Sequence, residues 1–549
     1  MPWWLLGVSM VATTFSAGTP NFVADIVRQQ GVAGNWIWWA FLLTGMLTVF
    51  VYAKLWRRSG VMTDIEFYEL RYSGKPAAFL RGFRAVYLGV LFNVIVMASA
   101  MLAAIKIAGT MLGTTPTQTI LAAGAVTAIY SMLGGLTGVL ITDFILFVIS
   151  MGGAIAAAVY LLNLDSVGGL SGLLANEVVQ TKISMFPDFS DTDLMLSIFI
   201  IPLTVQWWSV WYPGAEPGGG GYIAQRMLAA KNEMHATGAT LLFNVAHYAL
   251  RPWPWILVAL CSIIVFPTIE SLQIAFPHLD PHVVKHDLAY PAMMTLLPSG
   301  LRGLVLASLI AAFMSTLSTH LNWGSSYVIN DFYKRFVRPE APEKELVLAG
   351  RIATVAMMIA AAAAGLLLSN ALQVFRILLQ IGAGTGLLFI LRWFWWRINA
   401  FSEIAAMVAS FVVAVGLEAS DLPLGSSQKL VVGVAITTAC WVVVTFLTRP
   451  TKEETLRSFC SLIRPGGPGW KAVLDRARAD GIEELDSTAP WGVPMELACM
   501  ALGCIVVYGA LLATGYWIYG NYWPAAILTA VSATCCYLLF ATWRRTNKA

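Results

Sequence analysis

Apolar residues occur in this chain in long blocks, and most charged residues lie between the blocks. A block of about 20 apolar residues can cross the hydrocarbon core of a bilayer as a helix. Membrane β-barrels show short alternating segments instead, so the pattern predicts an all-α polytopic membrane protein. We predict about 14 transmembrane helices, with ends good to a few residues. They are 3–28, 34–56, 77–112, 117–134, 137–163, 193–228, 236–266, 301–331, 346–368, 372–396, 401–419, 428–448, 494–517 and 521–543.

Two of these helices carry helix-breaking residues in mid-span. The first reads SAGTP from Ser16 to Pro20, and the sixth reads YPGAEP from Tyr212 to Pro217, followed by four glycines. Proline removes a backbone hydrogen bond and glycine frees the backbone, so both helices should unwind there. Unwound backbone at membrane depth is tolerated around a cavity or a bound solute. Paired broken helices therefore indicate the binding site of a transporter.

The two breaks lie five helices apart. Because five is odd, the second set of five helices is inverted relative to the first. We therefore predict a first five-helix repeat at 1–163 and an inverted second repeat at 193–398. Residues 399–549 should hold about four accessory helices, with a cytoplasmic linker at 450–490.

Four hydroxyl residues lie in the uncharged middle of the predicted helix 301–331: Ser315, Thr316, Ser318 and Thr319. Hydroxyls are costly in hydrocarbon unless paired, so a cluster indicates a wet or ion-lined interior. Hard oxygen ligands without a cage of carboxylates suit a weakly bound monovalent cation. The alternative is that each hydroxyl bonds to its own helix and assists packing. The cluster alone leaves both interpretations open.

Composition agrees with a membrane protein. The chain has 549 residues, of which 58% are hydrophobic and 12% charged, and its mean hydropathy is +0.71. A soluble protein carries about twice that charged fraction. The net charge of +4 does not indicate nucleic-acid binding, because the basic residues are spread between the spans. The seven Cys and six His show no metal-binding spacing, so the sequence predicts no enzyme.

Lysine and arginine are concentrated in alternate loops. The loops at 113–116, 164–192 and 267–300 are poor in both residues. Basic loops face the cytoplasm, so we expect a multi-pass protein of the plasma (inner) membrane with both termini cytoplasmic. The expected partners are the lipid bilayer, an ion and a small solute, with no obligatory protein partner evident.

Three stretches resemble motifs of the sodium/solute symporter family. Residues 130–136 read YSMLGGL, with Val139 and Thr142-Asp143 after them; residues 225–231 read QRMLAAK; and residues 303–316 read GLVLASLIAAFMST. The resemblance extends over the first ten helices. It implies the five-plus-five inverted-repeat, LeuT-like fold and sodium-coupled symport by alternating access. Leu146 and Gly18 differ from the residues that are usual in the family, which leaves the solute open.

The resemblance also implies where sodium binds. The matching positions for the main site are the carbonyls of Ala12, Phe15 and Ala312 and the hydroxyls of Ser315 and Thr316. Some members bind a second sodium, and the matching positions are Asp143, Ser318 and Thr319. Asp143 lies near the cytoplasmic start of an otherwise uncharged span, where its other interpretation is an interfacial helix cap.

The solute is expected between the two breaks. His247 matches a polar contact of sugar symporters, and Thr14, Thr19 and Asn35 match other solute-facing positions. Trp211 precedes the second break with Trp207 and Trp208, and could stack on a sugar ring.

Glu216, between two prolines of the second break, matches a gating position in the family. Three roles are open for its carboxylate: attracting a cationic solute, pairing with Arg251, or reaching the outer water.

These features predict sodium-coupled symport of a small polar solute, with a sugar or polyol as first choice. An amino acid, an organic acid or an organic cation is the alternative within symport. A channel and a membrane enzyme are the alternatives of other classes.

Overall fold

A computed structural model describes residues 1–14, 16–209, 216–368, 370, 375, 378–379, 382, 384–420, 422–482 and 491–546. The side chains of 130, 132–137, 139, 545 and 546 are not described. The regular secondary structure of the described residues is helical. The predicted fold class, an all-α membrane protein, is confirmed.

Seventeen helical elements organise the described part of the chain. They are α1 (Trp3–Thr14), α2 (Gly18–Gln30), α3 (Val32–Ser59), α4 (Gly74–Leu112), α5 (Pro116–Leu162), α6 (Thr192–Thr204), α7 (Gly221–Leu228), α8 (Glu233–Val265), α9 (Ser299–Val337), α10 (Glu343–Gly365), α11 (Gly386–Leu391), α12 (Ala400–Ala419), α13 (Ser426–Leu447), α14 (Glu453–Ile463), α15 (Lys471–Ala479), α16 (Val493–Ile518) and α17 (Tyr522–Thr546). Ten helices of the described part are long and apolar enough to cross a membrane. The count of 14 and the repeat boundaries at 163, 193 and 398 stay predictions.

One predicted boundary is wrong. Helices 117–134 and 137–163 were expected to be separate, but α5 is a single helical element of 47 residues. Its start is well defined, since Thr115 caps it in a capping box with Gln118. Glycine costs a helix about 1 kcal/mol without forbidding helical backbone, so Gly134 and Gly135 do not by themselves end the helix.

The first predicted break is present but shorter than expected. Helix α1 ends at Thr14 and α2 begins at Gly18, so Pro20 lies within α2 rather than in the break. Proline is tolerated in the first turn of a helix, because the N–H that it lacks would have no helical partner there. A helix end leaves its last carbonyls without helical partners, and the break places this end of α1 inside the molecule.

The second break is also present. Residues 216–220 are not helical, and α7 begins at Gly221. Gly218 and Gly219 have φ angles of 89° and 85°, in the left-handed region that favours glycine. Asp64 holds the start of α7, because its carboxylate accepts a hydrogen bond from the Gly221 N–H at 2.7 Å. Of the break predicted at 212–221, residues 212–215 lie outside the described residues.

One end of the molecule, here called the Met1 face, gathers much of the charge. The Met1 ammonium donates to the Ala229 carbonyl at 2.8 Å. Arg58 pairs with Glu233 at 3.1 Å and donates to the Ile463 carbonyl, which brings the end of α14 to this face.

The segment predicted as a linker is therefore docked on the Met1 face. It forms α14 and α15, and buried Phe459 stacks on buried Trp470 at 5.4 Å. The guanidinium of Arg71 lies 4.8 Å from the Trp470 ring. This segment is a packed element up to residue 482, and residues 483–490 of the predicted linker lie outside the described residues.

At the opposite end of the molecule, buried charged residues join α2 and α4 to the end of α8 and the loop that follows it. Arg28 of α2 donates to the carbonyls of Ser262 and Phe266, at 2.8 and 2.7 Å, at the end of α8. Lys106 of α4 lies 2.6 Å from both carboxylate oxygens of Asp287, and both residues are buried. These contacts hold the loop between α8 and α9 against α2 and α4.

We expect Asp287→Asn to destabilise the protein by about 3 kcal/mol or more, because it leaves the Lys106 charge buried without its carboxylate. The midpoint of thermal unfolding in detergent measures this loss. The double variant Lys106→Met with Asp287→Leu should recover most of it, since apolar replacements often match a buried ion pair.

The matched control is Glu345→Gln. It breaks the partly exposed pair that Arg338 makes with Glu345 at 2.7 Å, and should cost about 1 kcal/mol or less. Equal losses in Asp287→Asn and Glu345→Gln would contradict a structural role for the buried pair.

Candidate solute and ion site

A cavity of about 180 Å³ lies at the first break. The break itself and α3, α4, α7, α8 and α9 contribute to its wall. Polar hydroxyls line one part: Thr13, Thr14, Ser16, Thr19, Ser99 and Thr316. Aromatic rings line another: Phe22, Trp38, Phe41, Tyr222, Tyr248 and Phe375. Such a mixture suits a small solute with polar groups and apolar ring faces.

A π-helical turn in α8 brings His247 and Arg251 to the cavity. The turn spans Ala246–Leu250, and the Arg251 N–H donates to the Ala246 carbonyl five residues earlier. Pro252 follows at once and has no N–H, so a regular helical bond is missing at this point. Turns of this kind are frequent at functional sites.

Arg251 joins α8 to the end of α1. Its guanidinium donates to the Val11 carbonyl at 3.2 Å, to the Thr14 hydroxyl at 3.1 Å and to His247 Nδ1 at 2.8 Å. It also lies 5.1 Å from the Trp255 ring. The Val11 carbonyl also accepts a hydrogen bond from the Thr14 hydroxyl at 2.8 Å, so Arg251 is one of two donors to this carbonyl at the end of α1.

Asp143 is the centre of a second polar group, here called the Asp143 network: Ser9, Thr13, Asp143, Arg226, Ser315 and Thr319. The carboxylate accepts hydrogen bonds from Ser315 and, at 2.6 Å, from Ser9. The Arg226 guanidinium lies 3.9 Å from this carboxylate. Arg226 also donates to the Thr319 hydroxyl at 3.3 Å.

Two further contacts relate the hydroxyls of α9 to the end of α1. The Thr316 hydroxyl donates to the Thr13 carbonyl at 3.2 Å. The hydroxyls of Thr13 and Thr319 are 3.4 Å apart. Thr316 and Thr319 of the predicted cluster therefore pack on the broken helix, whereas Ser318 bonds within its own helix and Ser315 bonds Asp143 of α5.

Glu216 lies in a buried group of alternating charges, here called the Glu216 cluster: Arg84, Glu216, Arg392 and Glu403. Glu216 pairs with Arg84 and lies 3.5 Å from Arg392, which in turn lies 3.4 Å from Glu403. Arg71 of the Met1 face donates to the Arg392 carbonyl at 2.9 Å. The cluster thus lies between the cavity and the Met1 face.

A second cavity, of about 60 Å³, lies between the larger cavity and the Glu216 cluster. Thr14, Phe41, His247 and Tyr248 belong to the walls of both cavities, and Glu216 lines the smaller one. The Glu216 cluster therefore closes the space that continues from the larger cavity.

The substrate positions predicted from sequence are partly assembled. Thr14, Thr19 and His247 line the larger cavity, as does Thr316 of the predicted sodium site. Asn35 is not in its lining; its side-chain oxygen accepts a hydrogen bond from Trp38 Nε1 at 2.8 Å, so it holds a ring that is.

Other predicted positions are buried or lie outside the described residues. Ala12 and Ala312 are buried beside the break. Phe15 and Trp211 lie outside the described residues.

Two expectations need correction. Glu216 pairs with Arg84 and Arg392 rather than with Arg251, and it does not reach outer water because it is buried. Of the tryptophans before the second break, Trp207 and Trp208 are absent from the lining formed by described residues, in which the tryptophan is Trp38.

Three arginines organise the site: Arg84 and Arg226, to which sequence reasoning gave no role, and Arg251, which it considered only as a partner of Glu216. All are buried. An ionisable residue in a membrane span is functional by default, so the charges of Arg84 and Arg251 in apolar segments were a usable signal. Their partners were not predictable, since Arg84 and Glu216 are 132 residues apart.

Comparison with known proteins agrees with this geometry. The profile of the sodium:solute symporter family matches residues 1–410. The chain belongs to this family. The symporter is therefore a sodium-coupled solute transporter, and sodium is its coupling ion, as the sequence predicted.

Among curated relatives, a sodium/glucose cotransporter of Vibrio parahaemolyticus is 26% identical over 467 residues, which cover 82% of this chain and 83% of the relative. Sodium/myo-inositol cotransporter 2 of Oryctolagus cuniculus is 27% identical over 381 residues, covering 64% of this chain. The match spans about half, 53%, of that relative's length.

Among solved structures, a substrate-bound, outward-open Na⁺-coupled sialic acid symporter superposes with a TM-score of 0.62. The identity is 20%, and the match covers 82% of this chain and 91% of the other. This likeness shows the fold of the symporter.

We expect Glu216→Gln to cost the symporter about 3 kcal/mol or more, because it removes the carboxylate shared by two buried guanidinium groups. A lower midpoint of thermal unfolding in detergent is the readout. Glu69→Gln is the matched control: Glu69 also pairs with two arginines, Arg81 at 2.6 Å and Arg335 at 2.9 Å. It is partly exposed, so its loss should be about 1 kcal/mol or less. A Glu216→Gln protein as stable as the control would show that the cluster contributes little.

Proposed function

We propose that the symporter takes up a sugar or polyol together with sodium through the cavity at the first break. The cavity supports this proposal because it combines hydroxyl groups with aromatic rings. Hydroxyls can bond those of a polyol, and aromatic rings can pack on the apolar face of a sugar ring. The curated relatives, sodium/glucose and sodium/myo-inositol cotransporters, support the same solute class.

We also propose that the Met1 face is cytoplasmic, in a plasma (inner) membrane. The support is the concentration of Lys and Arg in the loops of this face, such as Arg58 and Arg71. Sodium and solute would then move from the opposite end toward the Glu216 cluster. Inward movement of one sodium at 100 mV supplies about 2.3 kcal/mol, before its concentration gradient.

The main sodium site is proposed at the end of α1. The carbonyls of the last four residues of a helix lack helical partners, and they carry the negative end of the helix dipole. The Thr316 hydroxyl lies 3.2 Å from one of them, the Thr13 carbonyl. Ala12, Phe15 and Ala312 with Ser315 and Thr316 would supply the uncharged oxygens that suit sodium.

A second sodium is proposed at Asp143, Ser318 and Thr319. The support is the buried carboxylate of Asp143 within a network of hydroxyls from α1 and α9. Arg226 reaches both Asp143 and Thr319. A sodium at this place would share the Asp143 charge with the guanidinium.

The test of the proposed function is uptake into proteoliposomes of glucose, galactose, mannose and myo-inositol, with sodium or potassium outside. We expect sodium-dependent accumulation of at least one of them, with counterflow that a channel would not show. In Ser315→Ala with Thr316→Ala, the sodium concentration for half-maximal uptake should rise about tenfold or more, because two oxygen ligands are lost.

Ser308→Ala is the matched control for that double variant. Ser308 is a buried serine of the same helix, and its hydroxyl bonds only back along the helix, to the Val305 carbonyl at 2.7 Å, as far as the described contacts go. Its sodium dependence should not change. Uptake indifferent to the cation would contradict sodium-driven uptake of these solutes, and an equal change in both variants would remove Ser315 and Thr316 from the ion site.

The second site predicts a ratio of two sodium ions per solute and a Hill coefficient above one for sodium. Dual-isotope flux measures the ratio. Asp143→Asn should lower both quantities toward one, because the amide lacks the charge that offsets dehydration of the ion. Ser318→Ala with Thr319→Ala keeps the charge and should lower them in the same direction. A ratio of one in the unmodified symporter would leave Asp143 as a structural partner of Arg226.

A further inference from the structure

His247 reaches the larger cavity with one ring nitrogen already engaged. Its Nδ1 lies 2.8 Å from the Arg251 guanidinium and 3.2 Å from the Thr14 hydroxyl oxygen. A guanidinium carries donors only, so Nδ1 is the acceptor in the contact with Arg251. A histidine ring that accepts at Nδ1 carries its proton on Nε2. The group that His247 can offer to a ligand is therefore an N–H donor.

The Nε2 atom of His247 has no hydrogen-bond partner among the described contacts, since both polar contacts of the ring use Nδ1. His247 lines the larger and the smaller cavity, and it is only partly buried. Three aromatic rings pack around the imidazole: Trp38, Phe243 and Tyr248, with ring centroids 5.7, 5.3 and 4.5 Å away. The hydrogen bonds and the packing together hold the ring in place, so the donor is preorganised for an acceptor on the solute.

Ser99 of α4 supplies a second unoccupied polar group. It lines the larger cavity and is partly exposed, and its hydroxyl has no hydrogen-bond partner among the described contacts. Thr110 of the same helix differs, because its hydroxyl donates to the Lys106 carbonyl at 2.6 Å. The Ser99 hydroxyl can therefore both donate to a solute hydroxyl and accept from one.

We propose that Nε2–H of His247 and the hydroxyl of Ser99 select the solute by its hydroxyl groups. His247 donates to one hydroxyl oxygen of the solute, and Ser99 bonds a second hydroxyl. This inference rests on the proposed function and names two groups that determine its specificity. It also defines the solute more closely, because the group that faces His247 must be an acceptor.

An ammonium group is rejected at the place that faces His247. It carries donors only, so it would meet the Nε2–H donor and leave that donor without an acceptor. The described lining of the larger cavity holds no Asp or Glu that would pair with an ammonium there. A site built to bond a solute hydroxyl loses affinity when its own polar group is left unpaired. The cavity therefore separates a sugar or polyol from the amino analogue of the same shape.

His247 has a purely structural alternative. Its Nδ1 accepts from Arg251, which also donates to the Val11 carbonyl, and holding Arg251 would by itself explain a histidine here. The two roles depend on different nitrogens of the ring. A structural role needs Nδ1 and affects all solutes alike, whereas solute selection needs Nε2–H and affects one position of the solute.

The experiment uses whichever of glucose, galactose, mannose and myo-inositol is taken up with sodium. Analogues in which each hydroxyl in turn is replaced by fluorine, by hydrogen or by an ammonium group compete for its uptake. Fluorine keeps a weak acceptor of similar size, hydrogen offers none, and ammonium is a donor. At one position we expect affinity to fall least with fluorine, about tenfold or more with hydrogen, and further with ammonium.

Two substitutions assign that position to His247. The amide of His247→Gln falls near the place of Nε2, so it offers an N–H to the solute and should keep the order of the three analogues. The amide of His247→Asn falls near the place of Nδ1, so it serves Arg251 and should lose the penalty for ammonium at this position alone. A structural role predicts the reverse for the two variants. If either variant does not fold, the other one and the unmodified symporter decide the question.

Ser99→Ala tests the second contact. It should lower affinity for the parent solute severalfold, the range of one neutral hydrogen bond. Replacing the hydroxyl that faces Ser99 by hydrogen should then cost nothing more, and this position should differ from the one that His247 selects. An ammonium is tolerated better there, because the Ser99 hydroxyl can accept from it.

The matched controls lie outside the described cavity lining. His278→Asn changes a histidine of the loop after α8, whose Nε2 lies 3.0 Å from the Gly109 carbonyl. Ser308→Ala removes a serine hydroxyl that bonds back along its own helix. Both variants should leave the order of the analogues unchanged.

Each outcome has one meaning. Equal affinities of the three analogues at every position, or an order kept in His247→Asn and lost in His247→Gln, overturn the selection by His247 and leave the proposed function standing. Unchanged affinities in Ser99→Ala overturn the second contact. Sodium-dependent uptake of none of the four solutes overturns the proposed function and the selection with it.

Discussion

The end of helix α1 at Thr14 is the constraint on which the site depends. A helix that stops inside a membrane leaves its last carbonyls without helical partners and without bulk water. Three neighbours supply donors here. Arg251 of α8 bonds the Val11 carbonyl, Thr316 of α9 bonds the Thr13 carbonyl, and the Thr19 hydroxyl of α2 lies 3.3 Å from the Thr14 carbonyl. The same need brings an arginine, a set of hydroxyls and a second half-helix to one place, which is why the cavity is there.

Two groups of buried ion pairs, the Glu216 cluster and the Asp143 network, suit a transporter that works by alternating access. Glu216 lines the smaller cavity, and both the Glu216 cluster and the Asp143 network balance carboxylates against guanidinium groups. A buried pair is stable only while its partners stay together, and separating them is costly. Opening toward the Met1 face must therefore replace these contacts, either with water or with an entering ion. A sodium near Asp143 would act on that balance directly, which would couple ion binding to movement of α1, α7 and α9.

The docked segment of α14 and α15 adds a further restraint at the Met1 face. It contacts Arg58 at the end of α3 and Arg71 beside the Glu216 cluster. These two residues precede α4, whereas Arg392 follows α11. Trp470 Nε1 donates to the Trp393 carbonyl at 2.8 Å, so the segment joins the chain before α4 to the chain after α11. Its aromatic core of Phe459 and Trp470 makes this contact a packed surface rather than a loose connection.

The sequence by itself determined the all-α membrane class, the two breaks, the hydroxyl cluster and the family, because each depends on residues close together in the chain. The length of an apolar block, a helix-breaking proline or glycine, and a sequence motif can each be recognised from consecutive residues. Helix α5 is continuous because glycine permits helical backbone. The first break is short because proline is tolerated in the first turn of α2.

Only the tertiary structure decided which charges meet. The sequence left three roles open for Glu216, and the fold gives it two arginine partners. Arg251 donates to the Val11 carbonyl, which is 240 residues away in the chain. Ion pairs between distant helices depend on packing, which no local pattern of residues encodes.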